Sequence, residues 1–94
     1  MDIRYHRDPE TGLPHIYDHG IREEEVEAVL RGVGDDVPAD RGSRMKLGQT
    51  ADGRYLQVIY SPDEDGIGVF VITAFELKGK SKKAFRRRQR RKRQ

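Results

Sequence analysis

Apolar and polar positions follow two different spacings along this chain, and the change between them marks the predicted elements. Asp2–His6 alternates apolar and polar residues and predicts a short strand. Within Arg22–Arg31 the spacing becomes helical, because Val26, Val29 and Leu30 stand at i, i+3 and i+4. A helix is therefore predicted there, although no Ser, Thr, Asp or Asn precedes it as an N-cap.

A loop over residues 32–42 is expected to separate this helix from a meander of three antiparallel strands. Asp52-Gly53 signals a tight hairpin between the first two of them, and the turn at Pro62–Gly66 leads into the third. The third strand is apolar on both faces, so we expect it to be central, with the first strand or the C-terminal segment beside or across it. The predicted strands are Arg44–Thr50, Arg54–Ser61 and Ile67–Leu77.

Lys80–Arg91 is predicted to form a last, basic helix that begins at Ser81 and is anchored by Ala84 and Phe85. The order of elements predicts an α+β fold with a sheet packed against helices. We expect one domain over residues 1–85 and a basic tail over 86–94 that is frayed or disordered. The core expected from the alternating faces comprises Val26, Val29, Leu30, Leu56, Val58, Phe70 and Ile72.

Charge is distributed very unevenly along the sequence. The last fifteen residues hold ten Lys or Arg and no acid, whereas residues 1–79 hold nine basic and sixteen acidic side chains, a formal net charge of −7. Dense positive charge attracts polyanions, because each neutralised phosphate releases counterions. RNA or DNA is the partner this favours. An acidic protein, an anionic membrane surface and a merely solvated tail are the alternatives.

Composition excludes several classes of function. The chain has no cysteine, which excludes disulfides, thiol catalysis and the commonest zinc sites. No apolar run approaches membrane-spanning length, and the N-terminus does not resemble a signal region. A cytoplasmic, soluble protein without a cofactor or a membrane partner is therefore expected.

A few residues are candidates for chemistry from their spacing alone. His15 and His19 stand four apart, as metal ligands on a helix can, but the flanking Pro14 and Gly20 disfavour a regular helix and no third ligand is evident, so no metal site is predicted. Arg44 and Lys46 would present two cations to a phosphate from one strand face, or else keep an exposed face soluble. The late positions of the second and third strands carry hydroxyl and carboxylate groups, at Tyr60, Thr73 and Glu76. These groups could take part in proton transfer, or they could satisfy hydrogen bonds at the edge of the sheet.

Short segments along nearly the whole chain resemble the BrnT-type toxins of the RelE-like superfamily of toxin–antitoxin ribonucleases. Asp18–Val26 is similar to the family's "H-G-apolar-x-x-E-E" opening, and Arg44–Gln49 and Asp52–Tyr60 resemble two of its strands. Val71–Phe75 resembles its "I-I-S-A-R" strand, with Phe75 in place of the arginine. Lys82–Arg88 resembles its basic helix. A related set of small bacterial domains is a closer match at Phe75.

This resemblance implies a RelE-like fold and an endoribonuclease that an antitoxin protein normally holds inactive. It implies Arg44, Arg54 and Tyr60 as the cationic and hydroxyl groups of a catalytic site, with His19 as its base or acid. RNA would be seated by the following cations: Lys46, Lys82, Lys83, Arg86, Arg87, Arg88, Arg90 and Arg91. Because Phe75 replaces a cation, a non-cleaving nucleic-acid-binding module of the same fold is the alternative. An adaptor for an acidic partner is a third. The oligomeric state is left open.

Overall fold

The computed structural model describes residues 1–92, with the side chains of residues 1–91, and forms an α+β fold of five strands and two α-helices. Two short 3₁₀ turns, His15–His19 and Asp40–Gly42, complete the secondary structure. The main elements are β1 (Asp2–Tyr5), α1 (Glu23–Arg31), β2 (Gly34–Pro38), β3 (Arg44–Gln49), β4 (Tyr55–Pro62), β5 (Gly68–Glu76) and α2 (Gly79–Lys92).

The strands form one mixed sheet in the order β1-β5-β4-β3-β2. β3, β4 and β5 are the predicted antiparallel meander, and β1 runs parallel to β5 at its outer side. β5 therefore lies inside the sheet, between β1 and β4. The predicted hairpin and second turn are also present, with Gly53 at φ 93° and Gly66 at φ 74°, conformations that favour glycine.

Helix α1 packs on one face of the sheet and forms the larger core. Val26 and Val29 are fully buried there against Leu56 and Val58 of β4. Gly48 of β3 permits the close approach, since a Cβ at that position would lie 3.0 Å from Val29 Cγ1. The remaining buried members are Tyr5, Ile16, Ile21, Tyr60, Val69, Val71 and Ala74.

Helix α2 packs on the opposite face and is held by a second, smaller core. Phe85 is 1% exposed and lies with Leu47 and Leu77, and Met45 and Tyr55 pack at its margin. The helix therefore covers the β3–β4 side of this face. Phe75 of β5, which pairs with Gln57 and so shares this face, is 40% exposed.

Two sequence predictions about the sheet were wrong. The segment predicted as a loop over residues 32–42 contains β2, an edge strand that pairs with β3 from Gly34↔Gly48 to Pro38↔Arg44. Ile72 was predicted as core but is 37% exposed, and Phe70 is only half-buried. The reason is a bulge: Ile59 pairs with Thr73 and Tyr60 with Val71, which leaves Ile72 without a partner and turns Val69, Val71 and Ala74 inward.

The C-terminal helix has nearly the bounds that the sequence predicts. It runs from Gly79 to Lys92, against the predicted Lys80–Arg91, and it begins at Gly79 and not at Ser81. It includes residues 86–92 of the segment expected to be a basic tail. Arg93 and Gln94, the rest of that predicted tail, lie outside the described residues. Because these positions are helical, each cation lies on a defined face of α2. The neighbours of each cation can therefore show whether it is available to a ligand.

Candidate nucleic-acid interface

The four residues that the resemblance implied as catalytic fall into two separate groups. Arg44 and Tyr60 are directly paired across β3 and β4. Arg54 precedes the other end of β4, and six residues of strand at about 3.3 Å each put it about 20 Å from Tyr60. Its guanidinium donates to the carbonyl of Gly20 at 3.2 Å, which brings it to the end of the molecule that holds His19. Arg44 and Tyr60 therefore lie at one end of β4, and Arg54 and His19 lie at the other.

Arg44 and Tyr60 share one carboxylate, that of Asp36 on β2. Arg44 Nε donates to Asp36 Oδ1 at 2.9 Å, and the Tyr60 hydroxyl donates to Oδ2 at 2.6 Å. Burial together with this hydrogen bond raises the pKa of Tyr60 to about 12, and the same carboxylate raises the pKa of Arg44. The positive charge of Arg44 is balanced by the negative charge of Asp36, so the pair attracts a phosphate only weakly.

Lys46 and Arg54 are also occupied by groups of the protein itself. Lys46 Nζ donates to the carbonyls of Leu30 and Gly32 at 3.3 and 2.7 Å, where it satisfies the C-terminal end of α1. Arg54 binds Glu25 at 2.8 Å and Glu76 at 3.0 Å. These contacts give both cations a structural role, and they leave Glu76 paired and not free for proton transfer.

All three histidines of the sequence lie in a row beside β5, an arrangement that sequence spacing did not reveal. The ring of His15 lies 5.9 Å from that of His6 and 5.2 Å from that of His19, and His19 packs edge-on against Phe75 at 4.6 Å. His15 is oriented by Asp8, whose Oδ1 lies 3.0 Å from Nδ1. We call His6, His15 and His19 the histidine row.

Carboxylates surround the middle of the histidine row. Asp18 Oδ2 lies 3.5 Å from the same nitrogen, His15 Nδ1, that contacts Asp8. One carboxylate oxygen of Asp8, one of Asp18 and a ring nitrogen of His15 all lie within 4.8 Å of one another. The hydrogen bond from His15 is the main cause that lowers the pKa of Asp8. Asp8 was missed as a partner because it precedes the turn at residues 9–14, which folds back to bring His15 to it. This end of the molecule is locally acidic.

Helix α2 differs from the strands, because most of its cations have no acidic neighbour. Arg88 pairs with Asp35 of β2 at 2.7 Å, and Gln89 donates to the same carboxylate at 3.3 Å. Among the side chains that the structure describes, which in α2 are those of residues 79–91, no other cation of the helix forms an ion pair. The exposed cations without an ion pair, which we call the α2 cations, are Lys80, Lys83, Arg86, Arg87, Arg90 and Arg91.

A cleft of about 330 Å³ opens between α2 and the adjoining ends of β3 and β4. Tyr55 forms part of its wall, with Lys82 Nζ 5.4 Å and Arg86 Cζ 5.9 Å from the centre of its ring. The cleft, called here the Tyr55 cleft, is lined by Val33, Gln49, Tyr55, Phe85, Arg86, Gln89 and Arg90. Of the residues expected to bind nucleic acid, Arg86 and Arg90 thus lie in a concave surface.

The model of one protein family, described as "Domain of unknown function (DUF4258)", matches residues 15–76. The match covers about two thirds of the chain, from the 3₁₀ turn at His15 to the end of β5. The chain therefore belongs to this family. No curated protein and no solved structure matches it. No helix within residues 1–92 is long and apolar enough to cross a membrane.

Proposed function

We propose that this member of the DUF4258 family binds RNA through the α2 cations. The observation that carries the proposal is a contrast in pairing: Arg44 of β3 and Arg54, which precedes β4, are matched by carboxylates, whereas six exposed cations of α2 are not. Unmatched cations on a rigid helix favour a polyanion, because their binding to phosphates releases counterions. The buried Phe85 and the Arg88–Asp35 pair support this role by holding the helix in place.

The negative charge of the rest of the chain also supports RNA binding at α2. Residues 1–79 carry a formal net charge of −7, so an RNA strand is repelled from most of the surface and attracted to one helix. A partner that is an acidic protein would meet the same helix, but it would carry fewer charges along its length. RNA is the better match to cations spaced over several turns of helix.

A toxin-type endoribonuclease of RelE-like fold, kept inactive by an antitoxin, is our second candidate. The histidine row favours it, because RNA cleavage needs a base for the ribose 2′-hydroxyl and an acid for the leaving 5′-oxygen. One imidazole would accept the 2′-hydroxyl proton as that oxygen attacks phosphorus, and a second would protonate the departing 5′-oxygen. His15 and His19 have rings 5.2 Å apart, and Asp8 fixes the orientation of His15. We rank cleavage second because Asp8 and Asp18 repel a phosphate from this end.

The test of RNA binding compares two variants that each lose three positive charges. Neutralising Lys83, Arg87 and Arg91 to Gln should make the slope of log affinity against log salt less steep by about 2, since each single-stranded phosphate contact contributes about 0.7. The control neutralises Arg7, Arg31 and Arg41, which are also exposed but lie outside α2. Equal slopes in the two variants would refute the proposal, as would equal binding of RNA and a polyglutamate peptide by the wild-type protein.

A further inference from the structure

We propose that the Tyr55 cleft is a subsite for one nucleotide of a single-stranded polynucleotide, with the base stacked on Tyr55 and the adjoining phosphates on Arg86 and Arg90. The inference rests on the proposed binding of RNA by α2 and specifies the form of the ligand. A volume of about 330 Å³ lies at the lower end of the range of sites for small organic ligands. A volume of this size is comparable with that of one nucleotide and too small to enclose a duplex.

The wall of the cleft provides an aromatic surface. Tyr55 is half-buried, and its ring packs edge-on against the buried Phe85 at 6.0 Å, which orients it. Lys82 and Arg86 lie over the ring, so a base that stacks on it takes their place while these cations turn to the phosphates. Stacking of a base on such a ring is independent of sequence, because every base has a π-face. Val33, which is 90% exposed at the rim, adds an apolar surface to the same site. An apolar side chain this exposed has no packing role in the folded chain.

The polar groups of the cleft match the rest of a nucleotide. Gln49 and Gln89 each contribute an amide to the lining, and their nitrogens donate to the carbonyl of Gly53 and to Asp35. The oxygen of each amide can accept a hydrogen bond from the edge of a base. Arg86 and Arg90 stand one helical turn apart, about 6 Å along α2, close to the spacing of successive phosphates in an extended strand. Guanidinium groups bind phosphate oxygens in pairs, so each can hold one phosphate.

Stacking in the cleft requires an unpaired base, whereas attraction to the cations requires only phosphates. This difference predicts a preference for single strands. In a duplex the bases are stacked on each other and cannot enter a cleft. Its phosphates would still reach the exposed Lys83, Arg87 and Arg91. The cleft therefore adds affinity for unpaired strands alone, on top of the general attraction of α2 for phosphates.

The experiment measures fluorescence anisotropy with a labelled ten-nucleotide RNA, a DNA of the same sequence and a ten-base-pair RNA duplex. Tyr55→Leu should weaken binding of the single strands about tenfold and leave duplex binding unchanged, whereas Tyr55→Phe should bind as the wild type does. Arg86→Gln and Arg87→Gln form a matched pair, since each removes one exposed charge from neighbouring positions of α2. Arg86→Gln should weaken single-strand binding at least threefold more than Arg87→Gln.

The outcomes separate this inference from the proposed function. A folded Tyr55→Leu protein that binds single strands normally would overturn the cleft subsite, and so would equal effects of the two arginine variants. Both results leave RNA binding by α2 intact. If Tyr55→Leu does not fold, the arginine pair decides alone. A wild-type protein that binds none of the three probes would overturn both proposals. Tenfold preference for the RNA strand or the DNA strand would identify which polynucleotide the subsite accepts.

Discussion

The guanidinium of Arg54 lies 2.8 Å from the carboxylate of Glu25, a side chain that is only 4% exposed. Glu25 also accepts a hydrogen bond from the backbone N–H of Arg22 at 3.0 Å. This bond gives the residue just before α1 a partner for its backbone N–H. One buried carboxylate thus joins the start of α1 to the β3–β4 hairpin. Arg54 is required there to compensate a buried charge, and this explains why it is not available to a ligand.

Removal of Arg54 should therefore affect stability more than RNA binding. Arg54→Gln leaves the buried Glu25 with only the exposed Arg22, whose Nε lies 3.6 Å from it, and we expect a loss of about 3–5 kcal/mol in the free energy of unfolding. Urea denaturation measures this loss. Arg31→Gln is the control, because it breaks the exposed pair with Glu27 at 3.1 Å and should cost less than about 1 kcal/mol. Equal losses in the two variants would contradict a structural role for Arg54.

The bulge in β5 can be tested by a pair of substitutions of matched size. Leu56 is fully buried in the larger core, whereas Ile72, the unpaired residue of the bulge, is 37% exposed. Leu56→Ala should cost about 2–5 kcal/mol, and Ile72→Ala less than about 1 kcal/mol, because only the first leaves a cavity. Thermal or urea denaturation of both variants measures the difference. An Ile72→Ala variant as unstable as Leu56→Ala would mean that the side chain of Ile72 faces the core.

Ionisation of Tyr60 should make stability fall at high pH. Its pKa is raised from the ordinary 10 to about 12 in the folded state, mainly by burial and then by the hydrogen bond to Asp36. The folded state therefore retains this proton, and the stabilisation is complete below pH 10 and is lost as the pH rises from 10 towards 12. Tyr60→Phe removes this contribution. We expect the variant to be about 1–3 kcal/mol less stable than the wild type at pH 8, with the difference shrinking at pH 11.

Urea denaturation at pH 8, 10 and 11 gives that comparison directly. The pKa values of Tyr5 and Tyr17 are also raised, so the wild type and the variant share their contributions and the difference isolates Tyr60. A difference that stays constant over this range would show that the Tyr60 hydroxyl titrates alike in the folded and unfolded states.

If the protein cleaves RNA, the histidine row and the strand cations predict different results. A centre built on His15 and His19 requires that His15→Ala and His19→Ala each lower the cleavage rate about 100-fold or more. Arg44→Ala should then leave the rate within a few-fold, because Arg44 is paired with Asp36 and lies towards the far end of β4. The resemblance to BrnT-type toxins predicts the reverse for Arg44. Gel analysis of RNA digested by the three variants distinguishes them.

The elements with a clear apolar period were predictable from the sequence, and those held by specific contacts were not. Val26 and Val29 identify the buried face of α1, and Leu56 and Val58 that of β4. β2 was missed because Gly34–Pro38 contains a glycine, two aspartates and a proline, all unfavourable in strands. It forms an edge strand whose aspartates pair with Arg44 and Arg88 from other elements and accept a hydrogen bond from the Tyr60 hydroxyl.

The candidate site also has features that the sequence reveals and features that depend on contacts in the fold. Sequence could identify the cations of α2, because a run of Lys and Arg is visible without a structure. It could not show which cations are paired, since Glu25 is 29 positions before Arg54 and Asp35 is 53 before Arg88. The Tyr55 cleft joins residues from Val33 to Arg90, and the packing of Phe85 of α2 against Leu47 and Leu77 brings the helix to the strands.

The most direct test of the central claim is the affinity of the wild-type protein for single-stranded RNA, measured between 50 and 200 mM salt. If the α2 cations hold four or more phosphates at once, log affinity should fall against log salt with a slope of about −3. Binding that is absent at 50 mM salt, or a slope near zero, would contradict the claim that α2 is a polyanion-binding surface.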